Sequence, residues 1–366
     1  MDGLILLLSL AGLALLVIGA EGLVRGASRL AAGMGVPPLV IGLTVVAYGT
    51  SAPEMAVSVQ SALSGQAEIA YGNVVGSNIF NVLFILGVSA AIAPLAVGQQ
   101  LVRLDVPIMI GASMLCLGMS LDGNVSRVEG AALALGIVIY TLWLVRESRK
   151  EKELAAGEYA SEYGATPATT AAWVTNGALV LAGLAMLVLG ARWFVSGAVA
   201  IARIAGLSEL VIGLTIVAVG TSLPELATSV VASIRGERDI AVGNVVGSNI
   251  FNVFAVLGVS SAISPAGIPV ARSAIGFDGP VMVAVAIACL PVFFTDFEIA
   301  RWEGATFLFY YVAYVAYLVL HAGGSDALPW FRDAMAFFVI PITVLTAGLL
   351  TAKSVRRQRK RGRRAS

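Results

Sequence analysis

Long apolar stretches separated by short polar segments dominate the hydrophobic pattern of this chain. Several run for about 20 residues with almost no charge, which is the length that an α-helix needs to cross a bilayer. The pattern predicts ten such helices in two sets of five, and an eleventh near 330–352. The expected helices are 3–22, 38–62, 70–93, 104–122 and 127–146 in the first set, and 173–195, 209–233, 240–263, 274–295 and 301–321 in the second.

Composition supports a membrane location. Of the 366 residues, 58% are apolar and 12% are charged, whereas soluble domains carry roughly 25% charged residues. The two cysteines, Cys116 and Cys289, lie in apolar runs, and with a single histidine they provide neither a disulfide framework nor a zinc site. The N-terminus begins with an acid rather than a basic segment, so we interpret it as a retained first span.

The chain contains an internal duplication. Residues 41–94 include IGLTVVAYGTSAPE and GNVVGSNIFN, and residues 212–265 include IGLTIVAVGTSLPE and GNVVGSNIFN. The two segments align 171 residues apart without a gap, and 35 of 54 positions are identical. Because each repeat has an odd number of spans, the second must enter the membrane with the opposite orientation. The predicted fold is therefore an all-α polytopic membrane protein with two inverted-topology five-helix repeats and an additional C-terminal transmembrane helix.

The sequence predicts five segments. The distribution of Lys and Arg predicts how they are oriented in the membrane. The parts are the first repeat at 1–147, a polar cytoplasmic linker at 148–171, the second repeat at 172–322, the additional helix at 329–352 and a basic cytoplasmic tail at 353–366. An external N-terminus places 18 of the 23 Lys and Arg residues on the inner side. We interpret the tail as a topology anchor that touches anionic lipid, in preference to a nucleic-acid-binding segment.

Polar groups inside the second predicted helix indicate an ion site. They occupy one helix face at Ala47, Thr50, Ser51 and Glu54. Pro53 lacks an N–H and its ring collides with the carbonyl of Gly49, so the helix should open there. Carbonyls freed in mid-membrane need a partner, because lipid offers none. A cation would serve.

The neighbouring helix and the second repeat supply more oxygen atoms. Ser77 and Asn81 share a face of the third helix. The matching positions in the second repeat are Ala218, Thr221, Ser222, Pro224, Glu225, Ser248 and Asn252. Hard oxygen donors of this kind suit Ca²⁺, and they suit Na⁺, which is similar in size. Two ions that compete for one site with alternating access would be exchanged, so the sequence favours an antiporter.

Other intramembrane polar residues allow both a packing and a functional interpretation. For Asn73 and Asn244, helix packing and function are equally supported. Asn78 and Asn249 lie one position beyond the serines, and packing is the favoured interpretation. Asp105 and Asp278 lie near helix ends and are expected to be solvated at the interface.

At GTSAPE, GTSLPE and the two GSNIFN segments, the chain resembles the cation/calcium exchanger superfamily, and specifically prokaryotic sodium/calcium exchangers. The resemblance covers residues 1–321 and implies a ten-helix inverted-repeat core with sites on the second, third, seventh and eighth helices. It implies electrogenic exchange, with Glu54 and Glu225 as the main calcium ligands and carbonyl oxygens from Thr50 and Thr221. It further implies sodium sites lined by Ala47, Ser51, Ser77, Ala218, Ser222 and Ser248, with Asn81 and Asn252 completing the centre.

Two departures refine that comparison. Potassium-dependent relatives carry Asp where this chain has Asn252, so Asn252 argues against potassium dependence. The GNxxE-type motif of the proton/calcium branch is not seen at the GTSxPE positions.

The leading hypothesis is a secondary antiporter that exchanges Na⁺ for Ca²⁺ across the plasma membrane of a prokaryote. The first helix and its repeat mate would be the moving pair. Antiport of protons against Ca²⁺, or against another divalent cation, is the main alternative. A gated cation channel is less favoured, and an intramembrane enzyme lacks a recognisable nucleophile or metal site. We expect transported Ca²⁺ and Na⁺, contact with membrane lipid, no cofactor, no nucleic acid and function as a monomer.

Overall fold

The computed structural model describes residues 2–155, 169–204, 218–295, 297–342, 344–345 and 348. Several sequence predictions fall outside these residues. They are most of the linker 148–171, the part of the seventh helix at 209–217, the end of the eleventh helix and the basic tail 353–366.

The first half of the chain forms the five predicted spans, the second of which is broken. The helices are α1 (Asp2–Met34), α2 (Pro38–Thr50), α3 (Ala52–Leu63), α4 (Glu68–Ile92), α5 (Leu101–Met119) and α6 (Arg127–Ala155). Three of them contain a π-helical turn, at Gly42–Val46, Asn81–Leu86 and Leu101–Asp105. Such turns widen a helix locally and recur at functional sites.

The second half repeats this order within the described residues. Its helices are α7 (Thr170–Ile204), α8 (Ala218–Gly220), α9 (Leu223–Arg235), α10 (Arg238–Ile263), α11 (Ala274–Phe294), α12 (Arg301–Ala322) and α13 (Leu328–Ala334). A π-helical turn at Met335–Val339 continues α13. Among the described residues, eight helices are long and apolar enough to cross a bilayer, and α2 with α3 forms a ninth if the bent pair counts as one span.

α1 and α7 are longer than the sequence pattern predicts. They contain 33 and 35 residues, so each measures about 50 Å at 1.5 Å per residue. That exceeds the roughly 30 Å hydrocarbon core, and each helix must tilt or extend beyond it. α1 ends only at Gly35, whose φ of +60° breaks the helix, and two prolines follow.

α1 and α7 pack against each other as an antiparallel pair through glycines. A methyl group built on Gly19 would lie 2.8 Å from the carbonyl oxygen of Gly183, and one built on Gly190 would lie 2.7 Å from that of Gly12. The pairing order reverses along the two helices, so they run in opposite directions. Glycine is required at these positions because the backbones approach too closely for any side chain.

α4 and α10 form the centre of the bundle. In the most apolar 18-residue stretch of each helix, 72% of the residues are buried in α4 and 89% in α10, but only 11% in α12. The two GNVVGSNIFN segments therefore lie in the middle of the molecule. α12 lies at the periphery, where α13 joins it through a 3.4 Å hydrogen bond from the Tyr310 hydroxyl to the Val339 carbonyl.

Two small antiparallel sheets establish the inverted topology. β1 (Leu95–Ala96) follows the third span of the first repeat, and it pairs with β4 (Glu298–Ile299), which follows the fourth span of the second repeat. β2 (Asn124–Val125) and β3 (Ile268–Pro269) pair in the reciprocal way. The third-to-fourth loop of each repeat thus lies on the same side as the fourth-to-fifth loop of the other. Repeats of equal orientation could not form these pairs, so the predicted inversion is confirmed.

The interfacial position expected for Asp105 is wrong. Its side chain is fully buried on the π-helical turn of α5, and the Tyr140 hydroxyl of α6 donates a 3.0 Å hydrogen bond to Oδ1. Asp278 has a matching 2.8 Å bond from Tyr314. The sequence pattern could not show that a tyrosine one helix away replaces water as the donor.

Candidate cation-binding site

Both repeats break a helix at the GTSxPE motif. α2 and α3 meet at Ser51 with a bend of 44°, and Ser51 has φ −81° and ψ 9°. Pro53 is in the first turn of α3, where its missing N–H costs little. In the second repeat, Ser222 has φ −88° and ψ 9° before α9. The predicted helix break is therefore present in both halves.

The broken helices place a carboxylate at the start of each second segment. Glu54 is in the first turn of α3 and Glu225 in the first turn of α9. Their side chains are 0% and 1% exposed. A helix N-terminus carries a partial positive charge, which stabilises each buried carboxylate before any ion arrives.

Serines connect the two breaks across the repeats. The Ser51 hydroxyl donates a 2.8 Å hydrogen bond to Oε1 of Glu225, and the Ser222 hydroxyl donates one of 2.8 Å to Oε1 of Glu54. Ser222 also lies 3.2 Å from the Ser77 hydroxyl. The second oxygen of each glutamate, Oε2, is buried without a hydrogen-bond partner in the described part of the chain.

The asparagines that end GSNIFN contribute two further acceptors. Nδ2 of Asn81 donates to Oδ1 of Asn249 at 2.9 Å, and Nδ2 of Asn252 donates to Oδ1 of Asn78 at 3.1 Å. The carbonyl oxygens Oδ1 of Asn81 and Asn252 are buried and unpartnered among the described residues. Together with the two glutamate oxygens they form two repeat-related pairs of buried acceptors.

Asn73 and Asn244 brace the broken helices. Nδ2 of Asn73 donates to the Ser58 hydroxyl at 2.9 Å and to the Glu54 carbonyl at 3.2 Å. Nδ2 of Asn244 makes the equivalent bonds to Ser229 and to the Glu225 carbonyl, at 2.9 Å and 3.3 Å. Each amide thus fixes the backbone of the turn that carries a glutamate.

The threonine hydroxyls of the two GTSxPE motifs lie close to the same two asparagines. Oγ1 of Thr50 lies 3.1 Å from Oδ1 of Asn244, and Oγ1 of Thr221 lies 3.4 Å from Oδ1 of Asn73. Oγ1 of Thr50 is also 3.1 Å from the Val46 carbonyl. Each threonine hydroxyl thus links its helix break to the asparagine that braces the other repeat.

The remaining predicted site residues lie close by. Ala47 and Ser248 are fully buried, and Ser77 is 2% exposed. The Ser248 hydroxyl has no hydrogen-bond partner within the described residues. A methyl group on Gly247 would lie 2.9 Å from Cβ of Ala47, so α2 packs directly on α10 here. The side chain of Ala218 lies outside the described residues.

The donor set is suited to hard cations. The unpartnered atoms are carboxylate, amide and hydroxyl oxygens, which Ca²⁺ accepts in flexible geometry. No group of three or more His, Cys, Asp or Glu side chains suited to a metal occurs among the described residues. The arrangement does not match the nitrogen and sulfur ligands that zinc and copper prefer.

A groove leads from the first helix break toward α7. It has a volume of about 380 Å³ and an apolar lining that ends in a charged residue. The lining residues are Gly49, Ala52, Leu184, Ala185, Val188, Leu189 and Arg192. Gly49 and Ala52 flank the Thr50–Ser51 segment, so this groove reaches the immediate surroundings of the site.

On the repeat-related side, an ion cluster joins α1 to α9. Glu21 of α1 accepts from Arg235 at the end of α9, with Nε–Oε2 at 2.9 Å and Nη2–Oε1 at 2.5 Å, and it also pairs with Arg25. The positions that match Glu21 and Arg235 in the other repeat are Arg192 and Ser64. These residues cannot form the same ion pair, so the two sides of the molecule differ.

Comparison with known proteins identifies relatives over most of the chain. The Sodium/calcium exchanger protein family matches residues 4–146 and 176–320, once in each repeat. CaxA of Alkalimonas amylolytica is 40% identical over 284 residues, which cover 77% of this chain and 87% of CaxA. The sodium/calcium exchanger MaX1 of Methanosarcina acetivorans is 35% identical over 344 residues, with 85% and 97% covered.

A solved structure shows the same architecture. The sodium-calcium exchanger NCX_Mj, soaked with zero Na⁺ and Ca²⁺, aligns with a TM-score of 0.75 and 32% identity, and the match covers 87% of this chain and 100% of that chain. The doubled family match includes the broken helices and the central amides. With its two inverted repeats and its broken spans, this multi-pass membrane protein belongs to the sodium/calcium exchanger family.

Proposed function

We propose that the protein is a secondary antiporter that exchanges Na⁺ for Ca²⁺ at the centre between its two repeats. The family, the relatives and the solved structure support exchange of a cation for Ca²⁺, and that fold is a transporter fold rather than an enzyme fold. The observation that carries the finer proposal is the set of buried, unpartnered acceptors: Glu54 Oε2, Glu225 Oε2, Asn81 Oδ1 and Asn252 Oδ1.

Electrostatics explains why these oxygen atoms would bind Ca²⁺ and Na⁺ alternately. An unpartnered acceptor buried away from water costs free energy, about 1–3 kcal/mol and more for a charged group. Two carboxylates in one buried centre also repel each other. One Ca²⁺ or several Na⁺ would remove both penalties with the same oxygen atoms. Because both ions would use shared oxygens, occupation by one displaces the other, which couples their movement.

The remaining site residues take roles consistent with their positions. Glu54 and Glu225 are the principal calcium ligands in this proposal, with carbonyl oxygens from Thr50 and Thr221. Ser51, Ser77, Ser222, Ser248, Ala47 and Ala218 surround the sodium positions. The Thr50 and Thr221 hydroxyls contact the asparagines that brace the other repeat, which keeps both threonines beside the proposed centre.

The proposed membrane orientation follows the distribution of positive charge. With the N-terminus outside a prokaryotic plasma membrane, the linker 148–171 and tail 353–366 lie in the cytoplasm. The Glu21–Arg235 cluster then lies toward the inner side and the groove beside Arg192 faces the outer side. We further propose that the tail contacts anionic lipid and that one chain is the functional unit.

Reconstitution tests the proposal directly. Purified protein is placed in sodium-loaded liposomes, and uptake of radiolabelled Ca²⁺ is measured on dilution into sodium-free buffer, with and without a proton ionophore. We expect uptake that requires the sodium gradient and persists with the ionophore. Uptake driven only by a pH gradient would replace Na⁺ by H⁺ as the coupling ion, and Ca²⁺ flux without any counter-gradient would indicate a channel.

A further inference from the structure

A swapped pair of asparagine side chains lies at the contact between α4 and α10. Nδ2 of Asn78 donates to the backbone carbonyl of Asn249 at 3.3 Å, and Nδ2 of Asn249 donates to the backbone carbonyl of Asn78 at 3.3 Å. The second N–H of each amide points at a methionine sulfur, Met282 Sδ at 3.7 Å and Met109 Sδ at 3.5 Å. Both side chains are at most 3% exposed.

This pairing fixes the orientation of two amides that are otherwise ambiguous. A backbone carbonyl only accepts hydrogen bonds, so the NH₂ group of Asn249 must face Asn78, and its Oδ1 must face the other way. That Oδ1 then accepts from Nδ2 of Asn81, at 2.9 Å. Asn81 consequently turns its own oxygen, and not its NH₂ group, away from α10.

The same logic holds on the symmetric side. Oδ1 of Asn78 accepts from Nδ2 of Asn252 at 3.1 Å, which leaves Oδ1 of Asn252 as the free atom. Each orienting residue therefore belongs to one repeat and acts on the central amide of the other. Reversal of either orienting amide would place two carbonyl oxygens against each other.

We propose that Asn78 and Asn249 are positioning residues that select the oxygen face of Asn252 and Asn81 for the transported cation. This inference rests on the proposed function. A free asparagine presents an oxygen or an NH₂ group with similar ease, and an NH₂ group repels a cation. The swapped amides remove that choice at both central asparagines, and neither orienting side chain needs to touch the ion.

A double-mutant cycle separates this role from simple packing. An aspartate has two equivalent oxygens and no wrong face, so Asn252→Asp should abolish the need for Asn78. We expect Asn78→Leu, which keeps the branched shape and the number of side-chain heavy atoms, to raise the KM for Ca²⁺ at least fivefold with less than a twofold change in kcat. In the Asn252→Asp background, Oδ1 of Asn78 faces a carboxylate instead of an N–H donor, so the same substitution should leave the KM unchanged within twofold or lower it.

The matched control uses the other central asparagine. Asn78→Leu combined with Asn81→Asp should keep its full fivefold effect, because Asn78 orients Asn252 and not Asn81. Asn249→Leu should show the reverse pattern, with coupling to Asn81→Asp and additivity with Asn252→Asp. Equal losses in both backgrounds would assign Asn78 to packing and overturn the inference.

Two further measurements keep the outcome decisive. Asn78→Ala is prepared alongside Asn78→Leu, and only variants that elute as a single symmetric peak are compared. The Ca²⁺ dependence of the melting temperature gives affinity without turnover, so the cycle is also measured for variants that bind but do not transport. If wild-type protein shows neither Ca²⁺-dependent stabilisation nor uptake, the proposed function fails. If wild type binds Ca²⁺ and the cycle is additive, only the positioning role fails.

Discussion

The Ser222 hydroxyl of the second repeat donates a 2.8 Å hydrogen bond to Oε1 of Glu54 in the first repeat. Ser51 and Glu225 form the reciprocal bond at the same distance. Each carboxylate is therefore held by the helix break of the opposite repeat. The two halves must be assembled before either glutamate has its partner, so the site belongs to the interface and to neither repeat alone.

Removal of one glutamate charge should disable the centre. Glu54→Gln or Glu225→Gln would replace an unpartnered acceptor by an amide that can present NH₂ to the ion. Removal of one partner of a buried ion pair, here the carboxylate that faces the bound Ca²⁺, costs about 3–5 kcal/mol. We therefore expect Ca²⁺ uptake to fall by about 100-fold or more. Glu68→Gln, at an exposed acid that begins α4, is the control and should retain wild-type uptake. Normal flux in either site variant would refute the site assignment.

Asn252→Asp should have a milder effect than loss of either glutamate. The substitution removes the N–H donor to Asn78 and adds a third buried carboxylate, whose charge needs a counter-ion. We therefore expect residual Ca²⁺ uptake that is sensitive to pH or to K⁺, measured at pH 6 and pH 8 with and without K⁺. Identical ion and pH dependence in the variant and wild type would contradict this explanation.

The Glu21–Arg235 contact should bias the molecule toward one conformation. Glu21→Gln removes a bidentate ion pair between α1 and α9, worth about 1 kcal/mol for an exposed pair. We expect a longer-distance population between spin labels at Arg29→Cys and Ile234→Cys, which are exposed positions. Double electron–electron resonance measures this distance, and Cys116 and Cys289 are buried.

A charge exchange provides the control for that experiment. Glu21→Arg combined with Arg235→Glu should restore the shorter distance, because Glu at position 235 can pair with Arg at position 21 and with Arg25. An unchanged distance distribution in Glu21→Gln would show that the packing of α1 on α9 is enough to hold the two helices together.

The glycine contact between α1 and α7 should be needed for transport and not for ion binding. Gly183→Val would force a side chain against the Gly19 carbonyl, which a methyl group would approach to 2.7 Å. The ligands lie on other helices, so we expect uptake to fall at least tenfold while Ca²⁺-dependent stabilisation changes less than threefold.

Gly177→Val on the same helix is the matched control. A methyl group there would meet no atom within 4 Å, so uptake should match that of wild type. Parallel loss of binding and transport in Gly183→Val would show that this helix pair also shapes the site.

The sequence was sufficient for the fold and for the location of the helix breaks. The apolar period, the odd number of spans and Pro53 each have a local physical meaning that does not depend on the partner helix. Helix ends were less predictable, because α1 continues through polar residues until Gly35 provides a left-handed turn.

The hydrogen bonds that orient the central asparagines could not be predicted from the sequence. The sequence pattern favours packing for Asn78 and Asn249, because they lie one position past Ser77 and Ser248. Their role depends on which acceptor each amide meets, and that acceptor is the backbone of the opposite repeat. The tyrosine donors to Asp105 and Asp278 were missed for the same reason.

The ion cluster at Glu21 also bears on which of two conformations is lower in energy in a molecule built from two inverted repeats. If two inverted repeats were identical, the conformations open to either side would be related by a two-fold axis and equal in energy. Any resting state must therefore come from positions where the copies have diverged. Glu21 opposite Arg192, and Arg235 opposite Ser64, are divergences of this kind. A few substitutions outside the ion centre thus suffice to make the two conformations unequal in energy. They decide to which side of the membrane the ion-free molecule is open.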